Sequence, residues 1–125
     1  FVSMPTGLLK QMIIYKASDA GIKTIMQEES YTSQADITAM DYIPVYGVDA
    51  ENAVFSGRRI SRSLYRCFNG MIINADCNGA ANIMRKAITD AWNSITDFSF
   101  LASPEVSGFH ELNPLSISVK GIAAA

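Results

Sequence analysis

The sequence is poor in histidine and cysteine and contains no long apolar run. One histidine and two cysteines, Cys67 and Cys77, cannot form a four-ligand structural zinc site without help from carboxylates. No stretch approaches the roughly 18 apolar residues of a membrane helix, and the first residues lack the order of a secretory signal. Two thiols in an otherwise ordinary composition fit a reducing compartment. We therefore expect a cytoplasmic protein without a membrane partner.

The sequence does contain enough apolar material for one domain. The chain has 125 residues, of which 49% are hydrophobic, and this is close to the common size of a single domain. The first residue is Phe1 rather than methionine, and the apolar pattern starts almost immediately. We therefore expect this chain to be a segment of a longer polypeptide.

The charges are unevenly distributed. Residues 1–57 contain three lysines and seven acidic residues, and residues 87–125 contain one lysine and four acidic residues. Between them, residues 58–86 contain five arginines and one lysine against a single aspartate, a net charge of +5. This basic block predicts a local contact with a polyanion. A solvated face, or salt bridges to the acidic first segment, would explain the same charges.

Hydrophobic periodicity and turn residues predict an α/β order of elements. The arginine-rich stretch "RRISRSLYRCF" fits a strand or a helix, and we favour extended chain. The predicted elements, in chain order, are a helix over 6–20 that ends at Gly21, a strand over 22–28, an irregular insertion over 30–57 with one hairpin, a buried strand over 71–74, a helix over 77–95 and an irregular tail.

The helix predicted over 77–95 has an apolar stripe that should face the core. Small alanines on this stripe would permit close approach to a sheet. The residues of the stripe are Ala80, Ile83, Ala87, Ala91 and Ile95, widened by Met84, Ile88 and Trp92.

Asp76 stands at the predicted start of that helix, where two interpretations are open. A carboxylate in this position can cap the free amides of the first turn and interact favourably with the helix dipole. It can also project from the end of a strand as a hard oxygen ligand for Mg²⁺, together with other carboxylates. The position is compatible with both roles.

The stretch "INADCNGAANIMRKA" resembles the last nuclease motif of TnpB/OrfB-like proteins, transposon-encoded RNA-guided DNA nucleases related to compact type V CRISPR effectors. In that family, an Asp is followed by Asn-Ala-Ala or Asn-Gly-Ala, then Asn-Ile and a basic helix. The upstream stretches "YKASDAGI" and "EESYTSQA" also resemble the family, in the same order and at a similar spacing. The resemblance covers roughly residues 8 to 90.

The resemblance implies the C-terminal part of a RuvC-like domain, which belongs to the RNase H-like α/β class. It implies that Asp76 is the third catalytic acid and a Mg²⁺ ligand, and that guide RNA and target DNA are partners. The first two acids would precede Phe1, so this chain alone should not cut DNA. The implied division is a RuvC-like helix and strand over 1–29, a ribbon-like insertion over 30–70, the last RuvC-like strand and helix over 71–95, and a C-terminal tail over 96–125.

Four further polar residues could support this site. By the resemblance, Asn78 and Asn82 would support the mouth of the helix or contact backbone. Glu28 and Glu29 could replace a missing acid, although solvation or hydrogen bonding to the "SYTS" loop explains them more simply.

The insertion departs from the pattern of the family. Most relatives carry a zinc ribbon, with one C-x-x-C pair directly after "YTSQ" and another shortly before the final Asp. Here "ADITAM" replaces the first pair, and "YRCFNG" replaces the second with Cys67 alone. Zinc should therefore be absent. The insertion would be held by its own apolar residues, Ile43, Val45, Tyr46, Val54, Phe55, Leu64 and Tyr65.

The arginines of the insertion are candidate nucleic-acid-binding residues. Arginine binds phosphates, and aromatic rings stack on unpaired bases. The candidates are Arg58, Arg59, Arg62, Arg66 and Tyr65, with Phe68 beside them.

Three hypotheses about function remain open. The first is the C-terminal portion of an RNA-guided, Mg²⁺-dependent DNA endonuclease that is inactive alone. The second is a non-catalytic module that binds nucleic acid or a protein, and the third is a degraded transposon remnant. Loss of the early strands of an RNase H-like sheet would expose an edge and apolar surface, so self-association is a hazard.

Overall fold

The protein is described over residues 5–108 by a computed structural model, and its first element is the predicted N-terminal helix. Helix α1 spans Thr6–Asp19. It ends in a Schellman motif, in which Gly21 adopts a φ of 73° and the Ile22 amide donates to the Ala17 carbonyl at 2.8 Å. The prediction that Gly21 ends the helix is confirmed. The tail beyond residue 108, which includes His110, lies outside the described residues.

No residue of α1 is buried, although the helix is apolar on several faces. Leu9, Met12 and Ile13 all have exposed side chains. The strand predicted over 22–28 does not form. A strand needs a neighbour to pair its backbone amides and carbonyls, and within residues 5–108 the only sheet is built from three later strands.

The insertion over 30–57 is irregular, as predicted, but the hairpin predicted within it is absent. It consists of turns and a short 3₁₀ helix over Ala50–Asn52. Tyr31 and Met40 adopt the left-handed conformation, with φ of 66° and 53°. Such angles are uncommon for residues with a side chain and need support from the surroundings.

A small antiparallel sheet follows, with strands in the order β1-β2-β3. The strands are β1 over Arg58–Arg59, β2 over Leu64–Arg66 and β3 over Ile72–Asn74. Tyr65 pairs with Arg59 on one side and Ile73 on the other. The extended conformation that we favoured for the arginine-rich stretch is confirmed, and it forms one hairpin with a turn at residues 60–63.

Helix α2 spans Ala75–Ala87 and follows β3 without a loop. It begins and ends earlier than the predicted helix over 77–95. Its N-cap is Asn74, whose side-chain oxygen accepts hydrogen bonds from the Asp76 amide at 2.9 Å and the Cys77 amide at 3.0 Å. Asp76 therefore lies in the first turn and does not cap the helix.

The buried face of α2 is not the predicted apolar stripe. Ala80 and Met84 are exposed. The buried residues are Ala75, Asn78, Gly79, Ala81 and Asn82. The prediction was wrong because two asparagines on the opposite face bind backbone of the insertion, and hydropathy alone does not register this interaction.

The hydrophobic core lies between the sheet, the insertion and the segment after α2. Tyr65, Ile73 and Ile37 are fully buried. Phe98 and Leu101, at a 3₁₀ helix over Ser99–Ala102, complete it. The start of the predicted tail is thus part of the core, because these two apolar side chains pack under β3. Trp92 packs edge-on against Phe98.

The structure agrees with the predicted class in its coarse form, since it combines helices with a β-sheet. The sheet is antiparallel and has three strands. None of the helices described over residues 5–108 is long and apolar enough to cross a membrane.

Candidate nucleic-acid interface around Asp76

Asp76 directs its carboxylate outward from the first turn of α2. Its side chain is 86% exposed, and its Oδ1 lies 3.6 Å from Nη2 of Arg59. Because Asn74 already caps the helix, the carboxylate oxygens of Asp76 are not committed to its amides. An exposed carboxylate beside a cation is chemically suited to bind a metal ion or to approach a phosphate held by that cation.

Arg59 is positioned by the turn of its own hairpin. Its Nε donates to the Ser61 carbonyl at 3.1 Å, and its Nη2 donates to the carbonyl of Arg62. Two backbone acceptors thus orient the guanidinium, while the side chain remains 45% exposed. Arg59 keeps a positive charge beside Asp76 with the capacity to bind a further oxygen ligand.

Arg58 and Arg66 stand directly opposite each other across β1 and β2. Both are exposed. Like charges in directly opposed positions destabilise a sheet, and a bound polyanion would relieve this repulsion. The structure therefore brings Arg58, Arg59 and Arg66 onto one short hairpin, with Arg62 at its turn.

Tyr65 does not belong to this surface. Its side chain is fully buried, and its hydroxyl donates to the Gln34 carbonyl at 2.7 Å. Burial, with a smaller contribution from Asp36, raises the pKa of Tyr65 above its usual value. The interpretation of Tyr65 as a base-stacking residue is therefore not supported, because its ring is inaccessible. Phe68 is exposed beside the arginines.

Phe55 also lies at this surface, and sequence reasoning assigned it only to packing. It is half-buried and stacks on Tyr31, with ring centroids 6.5 Å apart. Gly57 allows its segment to approach the sheet, since a Cβ at this position would lie 2.5 Å from Tyr65 Cε1. The close approach places Phe55 beside the hairpin.

Asn78 and Asn82 join α2 to the insertion. Both are fully buried. Asn78 accepts from the Ile37 amide at 3.1 Å and donates to the Ala35 carbonyl at 2.8 Å. Asn82 donates to the carbonyls of Thr32 and Ala35, at 3.0 and 2.8 Å. These contacts agree with the expectation that the two asparagines contact backbone.

Glu28 and Glu29 lie at the start of the insertion. Glu28 accepts from the Ser30 amide at 2.6 Å and pairs with Lys86 at 2.5 Å. The hydrogen bond from Lys86 is the main cause that lowers the pKa of Glu28 to about 2. Glu29 is exposed, and its backbone carbonyl accepts from the Thr32 hydroxyl at 2.6 Å. Both residues form hydrogen bonds around the "SYTS" loop, which agrees with the simpler interpretation.

Two buried aspartates, which sequence reasoning missed, hold the turns of the insertion together. Asp36 accepts from the Thr38 amide at 2.9 Å and from the Phe68 amide at 2.7 Å, and so joins two turns distant in sequence. Asp41 accepts from the amides of Asp36 and Ser56, at 2.9 and 2.8 Å. One feature of the sequence could have identified Asp36. It belongs to the stretch "ADITAM", which replaces the first cysteine pair of the family pattern.

Cys67 lies beside Asp36 within the core. It is a free thiol and is almost fully buried. Burial is the main cause that raises its pKa to about 11. The protonated thiol is a poor metal ligand, because zinc binds the thiolate.

The described residues do not assemble a complete metal site. Within residues 5–108, no group of three or more histidine, cysteine, aspartate or glutamate side chains is placed to hold a metal ion. Two-metal phosphodiester hydrolysis needs several carboxylates to fix the ions. Asp76 can contribute one oxygen ligand, and the remaining ligands would have to come from elsewhere.

The comparison with protein families identifies this chain. The family model "Cas12f1-like, TNB domain" matches residues 7–83 of the 125. This match covers α1, the insertion, the sheet and the first nine residues of α2. The chain therefore belongs to the Cas12f1-like TNB-domain family, and it is a relative of the TnpB-like compact type V effectors.

Two relatives of this chain are named as endodeoxyribonucleases. The chain is 38% identical over 76 residues to "CRISPR-associated endodeoxyribonuclease Cas12f1" of Sulfoacidibacillus thermotolerans, over 60% of this chain and 15% of that protein. It is 34% identical over 88 residues to "CRISPR-associated endodeoxyribonuclease Cas12f2" of a Micrarchaeota archaeon, over 66% of this chain and 14% of that protein. The chain thus spans about a seventh of each relative. No solved structure matches significantly.

Proposed function

We propose that this chain is the C-terminal portion of an RNA-guided, Mg²⁺-dependent DNA endonuclease with a RuvC-like catalytic domain. In this proposal Asp76 supplies one catalytic carboxylate, and the other acids come from the rest of a longer polypeptide. The observation that carries it is the exposed carboxylate of Asp76, which Asn74 releases from capping and which faces Arg59. The endodeoxyribonuclease activity of the two relatives supports the same reaction class.

The hairpin contributes binding rather than bond cleavage. Arg58, Arg59 and Arg66 present guanidinium groups suited to phosphate oxygens. Arg59 would hold a phosphate of the target strand close to Asp76, because its guanidinium is oriented by two carbonyls of the turn. Fixing substrate in this way accelerates a reaction by reducing the entropy lost in reaching the transition state.

A non-catalytic nucleic-acid-binding module is the second candidate. The observation that favours it is the incomplete ligand set of residues 5–108, together with a basic hairpin that needs no metal to bind phosphate. The two candidate functions differ in the role of Asp76, because a binding module does not need its carboxylate.

The test is Asp76→Asn in the full-length protein that carries this chain, loaded with its guide RNA. We expect DNA cleavage to fall by more than about 10³-fold, the scale of losing one member of a catalytic unit. Guide-RNA binding should be unchanged. The thermal midpoint should move by less than about 3 °C, since exposed ion pairs contribute little.

Asp90→Asn is the matched control, because Asp90 is an exposed aspartate beyond the end of α2. It should cleave at the wild-type rate. Undiminished cleavage by Asp76→Asn would remove Asp76 from catalysis and leave the binding module as the function of this chain.

A further inference from the structure

We propose that the loop of residues 42–54, which we call the tip loop, docks its apolar side chains onto a basic, apolar-lined protein surface elsewhere in the same longer polypeptide. This docking contact shares with the proposed function only the premise that the chain is one portion of a longer protein. It assigns an interaction surface to a part of the insertion that contains no lysine or arginine.

The tip loop exposes five large apolar side chains. Tyr46 is 73% exposed and Val48 is 78% exposed, and the other three are Tyr42, Val45 and Val54. The sequence predicted that Val45, Tyr46 and Val54 would hold the insertion together, but all three are exposed instead. Single exposed apolar residues are ordinary, whereas several on one short loop indicate a contact surface.

Hydrogen bonds within the tip loop hold it in a defined shape. Asp49 accepts from the Val45 amide at 2.7 Å and from the Tyr42 hydroxyl. The Val48 amide donates to the Val45 carbonyl at 3.1 Å, and Gly47 between them adopts a φ of 73°. Because the backbone is already fixed, the loop loses little conformational entropy when it docks.

Both ends of the tip loop are fastened to the packed part of the chain. Asp41, directly before the loop, accepts from the amide of Ser56 at 2.8 Å and from the Ser56 hydroxyl. Pro44 is fully buried, and its carbonyl accepts from Nζ of Lys86 in α2 at 3.3 Å. A compact surface loop whose ends meet in this way is an Ω-loop, and Ω-loops are frequently functional.

The charges around the tip loop favour a protein partner over a nucleic acid. Residues 24–57 contain six acidic residues and no lysine or arginine. Two of the acidic residues, Asp49 and Glu51, belong to the tip loop. The hydrogen bond from the Tyr42 hydroxyl is the main cause that lowers the pKa of Asp49, so this residue stays a carboxylate. Such a surface repels phosphates and complements lysines and arginines that surround an apolar pocket.

The small size of the tip loop favours a partner surface within the same polypeptide. A stable complex between separate proteins uses about 20–30 residues on each side, and the tip loop is shorter than that. A covalent connection raises the effective concentration of two surfaces, so a small contact is sufficient. The chain spans 15% of one relative and 14% of the other. Most of a protein of that size lies outside this chain and can supply the surface.

The experiment measures how fast hydroxyl radicals oxidise Tyr46 in the full-length protein that carries this chain, without nucleic acid. Mass spectrometry compares this rate with the rate in a synthetic peptide of residues 40–58, where the ring is free. A docked ring is shielded from solvent, so oxidation in the protein should be several-fold slower than in the peptide. Dilution of the protein should leave the shielding unchanged, because the contact lies within one polypeptide.

Val48→Arg tests the chemistry of the partner surface in the same assay. It places a cation, the charge proposed for the partner, at an exposed apolar position of the loop. Tyr46 should then be oxidised as fast as in the peptide. Glu51→Lys, a charge reversal at an exposed side chain, should reduce the shielding as well. Val106→Arg is the matched control, because Val106 is an exposed valine outside the loop, and it should leave Tyr46 shielded.

Four outcomes overturn the inference. Oxidation of Tyr46 at the peptide rate in the wild-type protein removes the docking contact. Shielding that persists in both Val48→Arg and Glu51→Lys excludes a basic partner surface. Shielding that is lost on dilution assigns the loop to a second copy of the protein, and shielding that appears only after guide RNA is added assigns it to nucleic acid.

None of these measurements uses DNA cleavage. Asp76→Asn can therefore retain activity and refute the catalytic proposal while the docking contact stands. Equally, a freely exposed Tyr46 would remove the docking contact and leave the role of Asp76 untouched.

Discussion

Helix α1 and the region from residue 28 to 102 differ in how far their side chains are buried. Helix α1 forms as its sequence predicts, but none of its residues is buried. The later region has little regular structure, yet it encloses Tyr65, Ile73 and Ile37 completely. Regular secondary structure is therefore a poor guide to which part of this chain is packed. Buried polar contacts between distant segments are the better guide.

The later region depends on a few buried hydrogen bonds. Asn78 and Asn82 attach α2 to the loop of residues 32–37, and Asp36 joins two turns. Each of these side chains satisfies backbone groups that no strand or helix pairs. Leaving such a group unsatisfied costs about 1–3 kcal/mol. Four predictions test this difference, and all are measured by urea denaturation followed through the single tryptophan, Trp92.

Asn78→Asp should destabilise the later region most strongly. The substitution keeps the shape but replaces the amide donor to the Ala35 carbonyl with a carboxylate oxygen, in a fully buried position. Two oxygens would then face each other, and a charge would be buried without a partner. We expect the free energy of unfolding to fall by about 3 kcal/mol.

Asn93→Asp is the matched control for this change, since Asn93 is exposed in the turn after α2. It should leave the unfolding free energy unchanged within about 0.5 kcal/mol. An equal loss in both variants would show that the asparagine contacts to the loop do not hold this region.

Asp36→Asn should have a smaller effect. The side-chain amide of Asn keeps one oxygen acceptor but turns its NH₂ group towards the backbone N–H of Thr38 or Phe68, and that N–H then has no acceptor. We expect a loss of about 2 kcal/mol, because hydrogen bonds to a charged acceptor are stronger than neutral ones. Asp90→Asn serves as the exposed control.

The same measurement with the wild type and a chelator tests what holds the two turns. If Asp36 joins them, EDTA should leave the urea midpoint unchanged. A lower midpoint after chelation, with metal released, would show that a bound ion shares this role and that zinc was wrongly expected to be absent.

Among the substitutions, Ile13→Ser in α1 should have the smallest effect. The side chain of Ile13 is 54% exposed, so the polar replacement removes little buried apolar area. We expect a change below about 0.5 kcal/mol. Ile37→Ser, at a fully buried position, is the contrasting variant and should destabilise strongly. A large effect of Ile13→Ser would show that α1 packs in solution, for instance through the self-association that the sequence predicts.

The sequence was sufficient to predict the features that depend on local backbone geometry. The end of α1 followed from Gly21, and the extended arginine stretch and the strand before Asp76 followed from composition and spacing. The buried face of α2 could not be predicted, because Asn78 and Asn82 are buried only where unpaired carbonyls of a remote loop meet them. Tyr65 was misassigned for the same reason, since its acceptor, the Gln34 carbonyl, comes from another part of the chain.

The sequence by itself determined the motif around Asp76 and the concentration of positive charge over residues 58–86, because both are properties of residue order. Only the tertiary structure decided that Asn74 caps α2, that the carboxylate of Asp76 faces Arg59, and that Asn78 and Asn82 bind backbone of the insertion. The physical reason is that hydrogen bonds and charge contacts act over a few ångströms. The backbone must fold before residues distant in sequence come within that range.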